Sequence, residues 1–149
     1  MRIVIIRHGQ TMANVINDEG TALYTGTLNN ELTSLTEQGK NQARLLAEDD
    51  IVKSIEKVYS SDLIRAMQTA RLAKPGYELN LSENLRERCL GIFSHYHAIR
   101  CLFLNIFKIE PKEKVFKLQI QHCTPYVIEG NSINNLKLVS HDLKNMFEN

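Results

Sequence analysis

The chain has no tryptophan, only three prolines and three cysteines, and no excess of charge of either sign. Each shortage excludes a class of protein. Cys89, Cys101 and Cys123 are an odd number at no metal-ligand spacing, so neither a disulfide scaffold nor a zinc module is indicated. They read as reduced core thiols of a cytoplasmic protein. Eighteen basic against seventeen acidic residues leave a formal charge of +1. The balance holds along the chain: residues 1–75 carry nine of each sign, and residues 76–149 carry nine basic and eight acidic. A partner such as nucleic acid or a membrane surface calls for a basic face or tail, so neither is expected. No apolar run is long enough for a signal peptide or a membrane span. The most apolar stretch, Ala98 to Phe107, is broken by Arg100 and Asn105. Repeats, low-complexity tracts and Gly/Ser linkers are also missing, so residues 1–149 are expected to form a single domain with its own core.

What is present is an alternation of strand and helix signals. Ile3-Val4-Ile5-Ile6 is a continuous β-branched run, expected of a strand buried on both faces. It ends in a polar run, Arg7 to Asn14, and residues 17–35 read as loop. Thr36 can cap a helix that runs to about Asp50. Lys57–Tyr59 is a short strand candidate. Ser61 or Asp62 then caps a helix with Leu63, Ala66, Met67 and Ala70 on one face, and Pro75-Gly76 stops it. Further strands are expected at Tyr77–Leu81, Leu90–Phe93, Val115–Gln121, Pro125–Glu129 and Leu136–Ser140, and a helix from about His97 to Lys108. The pattern implies an α/β three-layer sandwich with a mostly parallel central sheet flanked by helices.

Chemistry-bearing residues gather at the ends of these strands. In an open α/β sheet, ligands bind beyond the carboxyl ends of the strands. Arg7-His8-Gly9-Gln10-Thr11 follows the first strand directly. A guanidinium fork suits phosphate oxygens, and Gly9 would let the backbone approach a ligand closely. On position alone, a surface loop holding Arg and His is an equally good account. Arg65 falls in the first turn of a helix, where unpaired N–H groups favour an anion, although a lone arginine there is usually a solvated one. Ser94-His95-Tyr96-His97 and Leu85-Arg86-Glu87 are two further clusters. His122, in a strand beside Cys123, and His141 read as ordinary structural residues. No histidine pair has metal-ligand support, so no metal is expected.

Together these segments resemble the histidine phosphatase superfamily, or phosphoglycerate mutase-like family. The resemblance rests on Arg7-His8-Gly9-Gln10-Thr11, on Gly26 with Leu35-Thr36-Glu37-Gln38-Gly39, and on Tyr59-Ser60-Ser61-Asp62-Leu63-Ile64-Arg65-Ala66. It continues through Leu85-Arg86-Glu87 and Phe93-Ser94-His95 with Ala98-Ile99-Arg100, and more loosely to Ser140-His141-Asp142-Leu143. It implies His8 as a nucleophile that becomes a phosphohistidine, and Arg7, Arg65 and His95 as the pocket for the equatorial phosphate oxygens. Glu87 is implied as proton donor and then base, and Thr11 and Asn14 as supporting donors. No metal or other cofactor is implied. Arg65→Ala is accordingly expected to remove most of the stabilisation that phosphate gives, with little effect on the unliganded melting temperature.

Two departures qualify the resemblance. The family usually places some tens of residues between the Glu and second His motifs, forming a cap over the site; here Glu87 and His95 are eight residues apart. The cap subdomain is therefore reduced or absent. If Leu90–Phe93 is a straight strand, an extended rise of about 3.3 Å per residue leaves Glu87 roughly 20 Å behind His95. Tyr96 also stands where the family usually has Gly, and is expected to narrow the pocket. The leading expectation is a metal-independent phosphatase acting on a phosphorylated small molecule or a phosphoprotein. The alternatives are a weakly active phosphate-binding relative, and a homodimer whose partner chain completes the site. A mutase is disfavoured, because retaining an intermediate while it turns round needs enclosure.

Overall fold

A computed structural model of the chain describes residues 2–20, 25–85, 93–109, 117–132, 135–141 and 146–147. Among them, six strands form one sheet: β1 (Arg2–Arg7), β2 (Val58–Ser61), β3 (Leu79–Ser82), β4 (Phe93–Ser94), β5 (Pro125–Gly130) and β6 (Leu136–Leu138). The spatial order is β3-β2-β4-β1-β5-β6. The β3-β2, β2-β4 and β4-β1 pairings are parallel, and β5 is antiparallel to both β1 and β6. Thus β5 alone runs against the others, and the expected mostly parallel sheet is met. Phe93 pairs with both Ile6 and Ser60, and Ser94 with Arg7. This register ends β1, β2 and β4 level with one another, so the residues that follow them emerge together at one edge.

Helices cover both faces. These are α1 (Met12–Asp18), α2 (Glu37–Leu46), α3 (Asp50–Lys53), α4 (Ile64–Ala73) and α5 (Tyr96–Phe107). Successive β1 side chains point to opposite faces. Ile5 joins Tyr126, Ile128, Ile99 and Phe103 under α5, while Val4 and Ile6 join Val58, Leu46, Val52 and Ala70 under α2, α3 and α4. The continuous apolar run at 3–6 is thereby explained: both faces of β1 are buried. Ala43 and Ala66 are fully buried, which lets α2 and α4 pack closely. No helix among the described residues is long and apolar enough to cross a membrane.

Several expectations need correction. The polar run after β1 contains α1, whose N-cap Thr11 forms a reciprocal capping box with Asn14. Only Ala13 of α1 is buried, so the helix leaves no apolar stripe to read. The helix begun at Thr36 stops at Leu46, and Asp49 caps a separate short one by accepting from the N–H groups of Ile51 and Val52. The N-cap of α4 is Leu63, not Ser61 or Asp62, though Ser61 Oγ accepts the Leu63 N–H at 3.3 Å. The strand expected at Val115–Gln121 is not a ladder strand over its described part. Leu118 makes one isolated bridge, to Phe147. The Leu118 carbonyl instead accepts from Arg100 Nε at 2.7 Å, and the Ile120 carbonyl from Arg7 Nη1 at 2.8 Å. Of Leu90–Phe93, only Phe93 is described, and it lies in β4.

Candidate active site

Where β1 ends, His8 is 5% exposed. Its Nδ1 lies 2.8 Å from the Gly9 carbonyl oxygen. A carbonyl only accepts, so Nδ1 carries the proton and the neutral ring keeps its lone pair on Nε2. Burial, then His95 and Arg7, hold the His8 pKa well below the ordinary histidine value. The ring is therefore neutral near neutral pH, as an attacking imidazole must be.

His95 emerges from β4 beside it, with ring centroids 5.2 Å apart. Arg65, on the first turn of α4, donates from Nε to His95 Nδ1 at 3.2 Å. That assigns the His95 proton to Nε2, which lies 3.2 Å from Ser61 Oγ. Burial, followed by Arg65 and Arg7, lowers the His95 pKa to about 3. Arg65 is itself 2% exposed and also donates to the carbonyls of Gly26 at 2.9 Å and Leu28 at 3.1 Å. It therefore braces the loop before η1 (Glu31–Thr33) as well as lining the site. Those bonds point the other way from the expectation that its removal leaves stability unchanged: losing the side chain should cost stability.

Arg7 donates from Nη1 to the Ile120 carbonyl, and its Cζ lies 4.6 Å from the Tyr96 ring centroid. Burial is the main cause that draws its pKa down to about 10. Its Nε is buried with no partner among the described residues. An orphaned buried donor is costly, and an anion in the pocket would satisfy it. Tyr96 acts as a wall for this group: the Arg100 guanidinium also lies over its ring, 3.9 Å from the centroid. The Tyr96 hydroxyl accepts from Arg100 Nη2 and lies 3.2 Å from the Leu118 carbonyl, to which it donates. The ring is thus committed to the two arginines.

Gly9 is also a packing position. Its N–H donates to Thr69 Oγ1 at 3.0 Å, and a Cβ built on it would meet the Gly39 carbonyl oxygen at 2.6 Å. On the side a Cβ would occupy, the close approach is by the first turn of α2. That turn is tied to the same loop by Thr36 N–H to Gln10 O at 3.0 Å and by Gln10 N–H to Gln42 Oε1 at 3.0 Å.

The fold brings Arg7, His8, Arg65 and His95 into one group. Thr11 and Asn14 lie apart from it in their bonding: Thr11 N–H and Oγ1 donate to Asn14 Oδ1 at 3.0 and 2.9 Å. Glu87 lies outside the described residues. One site residue escaped the sequence. His122 Nδ1 donates to the His8 carbonyl at 2.6 Å, and its ring lies 5.5 Å from that of His8. Burial, then Arg7, lowers its pKa to about 4. Nothing local in Gln121-His122-Cys123 announces this, because the contact spans more than a hundred residues. His141, as expected, bonds locally, with Nδ1 2.7 Å from Ser140 Oγ. Among the described residues, no group of His, Cys, Asp or Glu is placed to hold a metal ion.

The guanidiniums of Arg7 and Arg65 and the neutral imidazoles of His8 and His95 thus come together where β1 and β4 end. Among curated proteins, the chain is 35% identical over 112 residues to a putative phosphoserine phosphatase 2 of Hydrogenobacter thermophilus, covering 70% of this chain and 51% of the relative. It is 34% identical over 99 residues to an adenosylcobalamin/alpha-ribazole phosphatase of Salmonella typhimurium, covering 65% and 45%. The chain thus spans about half the length of these relatives. Among solved structures, its fold matches a putative alpha-ribazole-5'-P phosphatase of Escherichia coli K-12 with a TM-score of 0.76 at 20% identity, covering 93% of this chain and 95% of that one. The sequence profile of the histidine phosphatase superfamily (branch 1) matches residues 3–94, more than half of the chain. The protein belongs to the histidine phosphatase superfamily.

Proposed function

We propose that this protein is a metal-independent phosphatase that hydrolyses a phosphomonoester or a protein phosphohistidine through a phosphohistidine on His8. The observation that carries the reading is the Nδ1–H bond from His8 to the Gly9 carbonyl, which leaves Nε2 as the nucleophilic atom amid Arg7, Arg65 and His95. The Nε2 lone pair attacks phosphorus and the ester P–O bond breaks. The imidazole becomes cationic, and the Gly9 carbonyl supports it by accepting the hydrogen bond from Nδ1–H. Arg7 and Arg65 neutralise the equatorial oxygens, which supplies the charge stabilisation that metal ions supply elsewhere. Glu87 is the family-matching group to protonate the leaving oxygen and then take a proton from the water that cleaves the N–P bond.

Relatives named as phosphoserine and alpha-ribazole phosphatases favour a phosphomonoester, and the short Glu87–His95 spacing favours a bulky or loosely selected one, since little chain remains to enclose a small one. A cytoplasmic setting is part of the same proposal; a homodimer whose partner chain completes the site is a separate alternative, read out by light scattering. The test is hydrolysis of p-nitrophenyl phosphate in EDTA by wild type and His8→Ala, with the variant inactive. The eight-residue spacing also supports a second reading, a weakly active relative. Glu87→Gln separates the two. A working acid–base residue loses roughly 100- to 10,000-fold in rate; the weakly active relative changes little and accumulates phosphoenzyme.

A further inference from the structure

The Arg7 side chain and the main-chain carbonyls of Arg7 and His8 are held from one side by a segment outside the profile match, residues 120–123. Three bonds make the clasp. The Ile120 carbonyl accepts from Arg7 Nη1 at 2.8 Å, the Cys123 N–H donates to the Arg7 carbonyl at 3.0 Å, and His122 Nδ1–H donates to the His8 carbonyl at 2.6 Å. β5 cannot do this work, because its pairing with β1 ends at Ile6 opposite Pro125, which has no N–H to offer. The chain reaches the position through a left-handed Cys123, φ 46°. A side chain resists that conformation, so the surrounding bonds must hold it.

The His8 carbonyl and the Gly9 N–H belong to one rigid peptide plane. Its oxygen is bonded to His122 Nδ1, and its N–H donates to Thr69 Oγ1 at 3.0 Å. The plane that joins the nucleophile to its next residue is pinned at both ends, from opposite sides of the sheet edge. The Gly9 carbonyl, which sets the His8 tautomer, is on the peptide immediately following. From this we propose, building on the phosphatase reading, that His122 is a positioning residue for the nucleophile: its Nδ1–H fixes the His8–Gly9 peptide and so keeps His8 Nε2 aligned and deprotonated. The bond uses Nδ1 alone, so the proposal is specific to one nitrogen.

That specificity gives the test. Asparagine hangs a donor N–H from Cγ, as histidine does with Nδ1, whereas glutamine moves it one bond further. His122→Asn, His122→Gln and His122→Ala are compared in two measurements. The first is the single-turnover rate of His8 phosphorylation by p-nitrophenyl phosphate, with phosphate affinity measured alongside. The second is the His8 ring tautomer, read from imidazole nitrogen shifts by NMR. Ala and Gln should phosphorylate roughly 10- to 100-fold more slowly, the scale of a small misplacement of a reacting group. Their phosphate affinity should be nearly unchanged and their His8 tautomers mixed. Asn should stay within about threefold of wild type with the Nδ1–H tautomer kept. Wild-type rates in the Ala variant, or an Asn variant as slow as Ala, would overturn the proposal. A wild type that takes no label, yet loses its tautomer in Ala and regains it in Asn, would refute the phosphatase reading and leave the positioning role standing.

Discussion

Arg65→Ala separates a ligand from a strut. The guanidinium is buried and, among the described residues, makes bonds to the Gly26 and Leu28 carbonyls and to His95 Nδ1, at 2.9, 3.1 and 3.2 Å. Hydrogen bonds to a charged group contribute about 1.5–3 kcal/mol each, so the three together give a gross loss of roughly 4–9 kcal/mol. Desolvation of the buried cation offsets several kcal/mol of that, and water can enter the space the side chain leaves. A net destabilisation of about 2–4 kcal/mol follows. For a chain of this size each kcal/mol lowers Tm by roughly 2–4 °C, so the unliganded variant should melt roughly 4–16 °C below wild type. Differential scanning calorimetry without phosphate reads this directly. Phosphate at about one hundred times Kd should add roughly 2.7 kcal/mol to wild type and distinctly less to the variant at the same concentration. Arg65→Lys should fall between, keeping the charge but not the fork. An unliganded Arg65→Ala variant that melts with wild type would refute the bracing role.

Three further outcomes follow from the same geometry. Tyr96→Leu removes the ring beneath Arg7 and Arg100, so phosphate binding by calorimetry should weaken by about 0.5–2 kcal/mol, or roughly 2- to 30-fold, while Tyr96→Phe should stay closer to wild type. Gly39→Ala places a Cβ 2.1 Å from the Gln10 carbonyl oxygen, so α2 must move off the His8 loop; urea unfolding should show a loss of about 1–3 kcal/mol, with activity reduced. His8, His95 and His122 all have lowered pKa values in the folded state, the last two at about 3 and 4. The unfolded chain, titrating near 6.5, therefore binds more protons below that pH. Stability should fall as pH drops from about 6.5 toward 4, by up to about 1.4 kcal/mol per pH unit for each histidine, as denaturant titrations at several pH values will show.

Much of the fold was legible because its signals are local. The β-branched run at 3–6 implies a doubly buried strand, and Ile5 and Ile6 do serve opposite cores. Thr36 caps α2 as its position suggests. The grouping of His8, Arg65 and His95 was reached through the resemblance, and the level ends of β1, β2 and β4 are the physical reason it holds. What stayed hidden depends on distant partners. His122 carries no local pattern, and its role exists only because residue 122 lies against residue 8. The packing of α2 against Gly9 is hidden in the same way, since Gly39 meets it only in the fold. The strand expected at Val115–Gln121 failed where Arg7 and Arg100 take the carbonyls a ladder needs. The two cationic neighbours of Tyr96 are likewise assembled only by folding.

The central claim is that His8 Nε2 is the phosphoryl acceptor. Rapid acid-free quenching after mixing with p-nitrophenyl phosphate, followed by peptide mass spectrometry, tests it most directly. An acid-labile, base-stable phosphoryl group should be found on His8, formed as fast as the first burst of nitrophenol and missing in His8→Ala. Nitrophenol release at the wild-type rate with the label on another residue, or surviving in His8→Ala, would contradict the account.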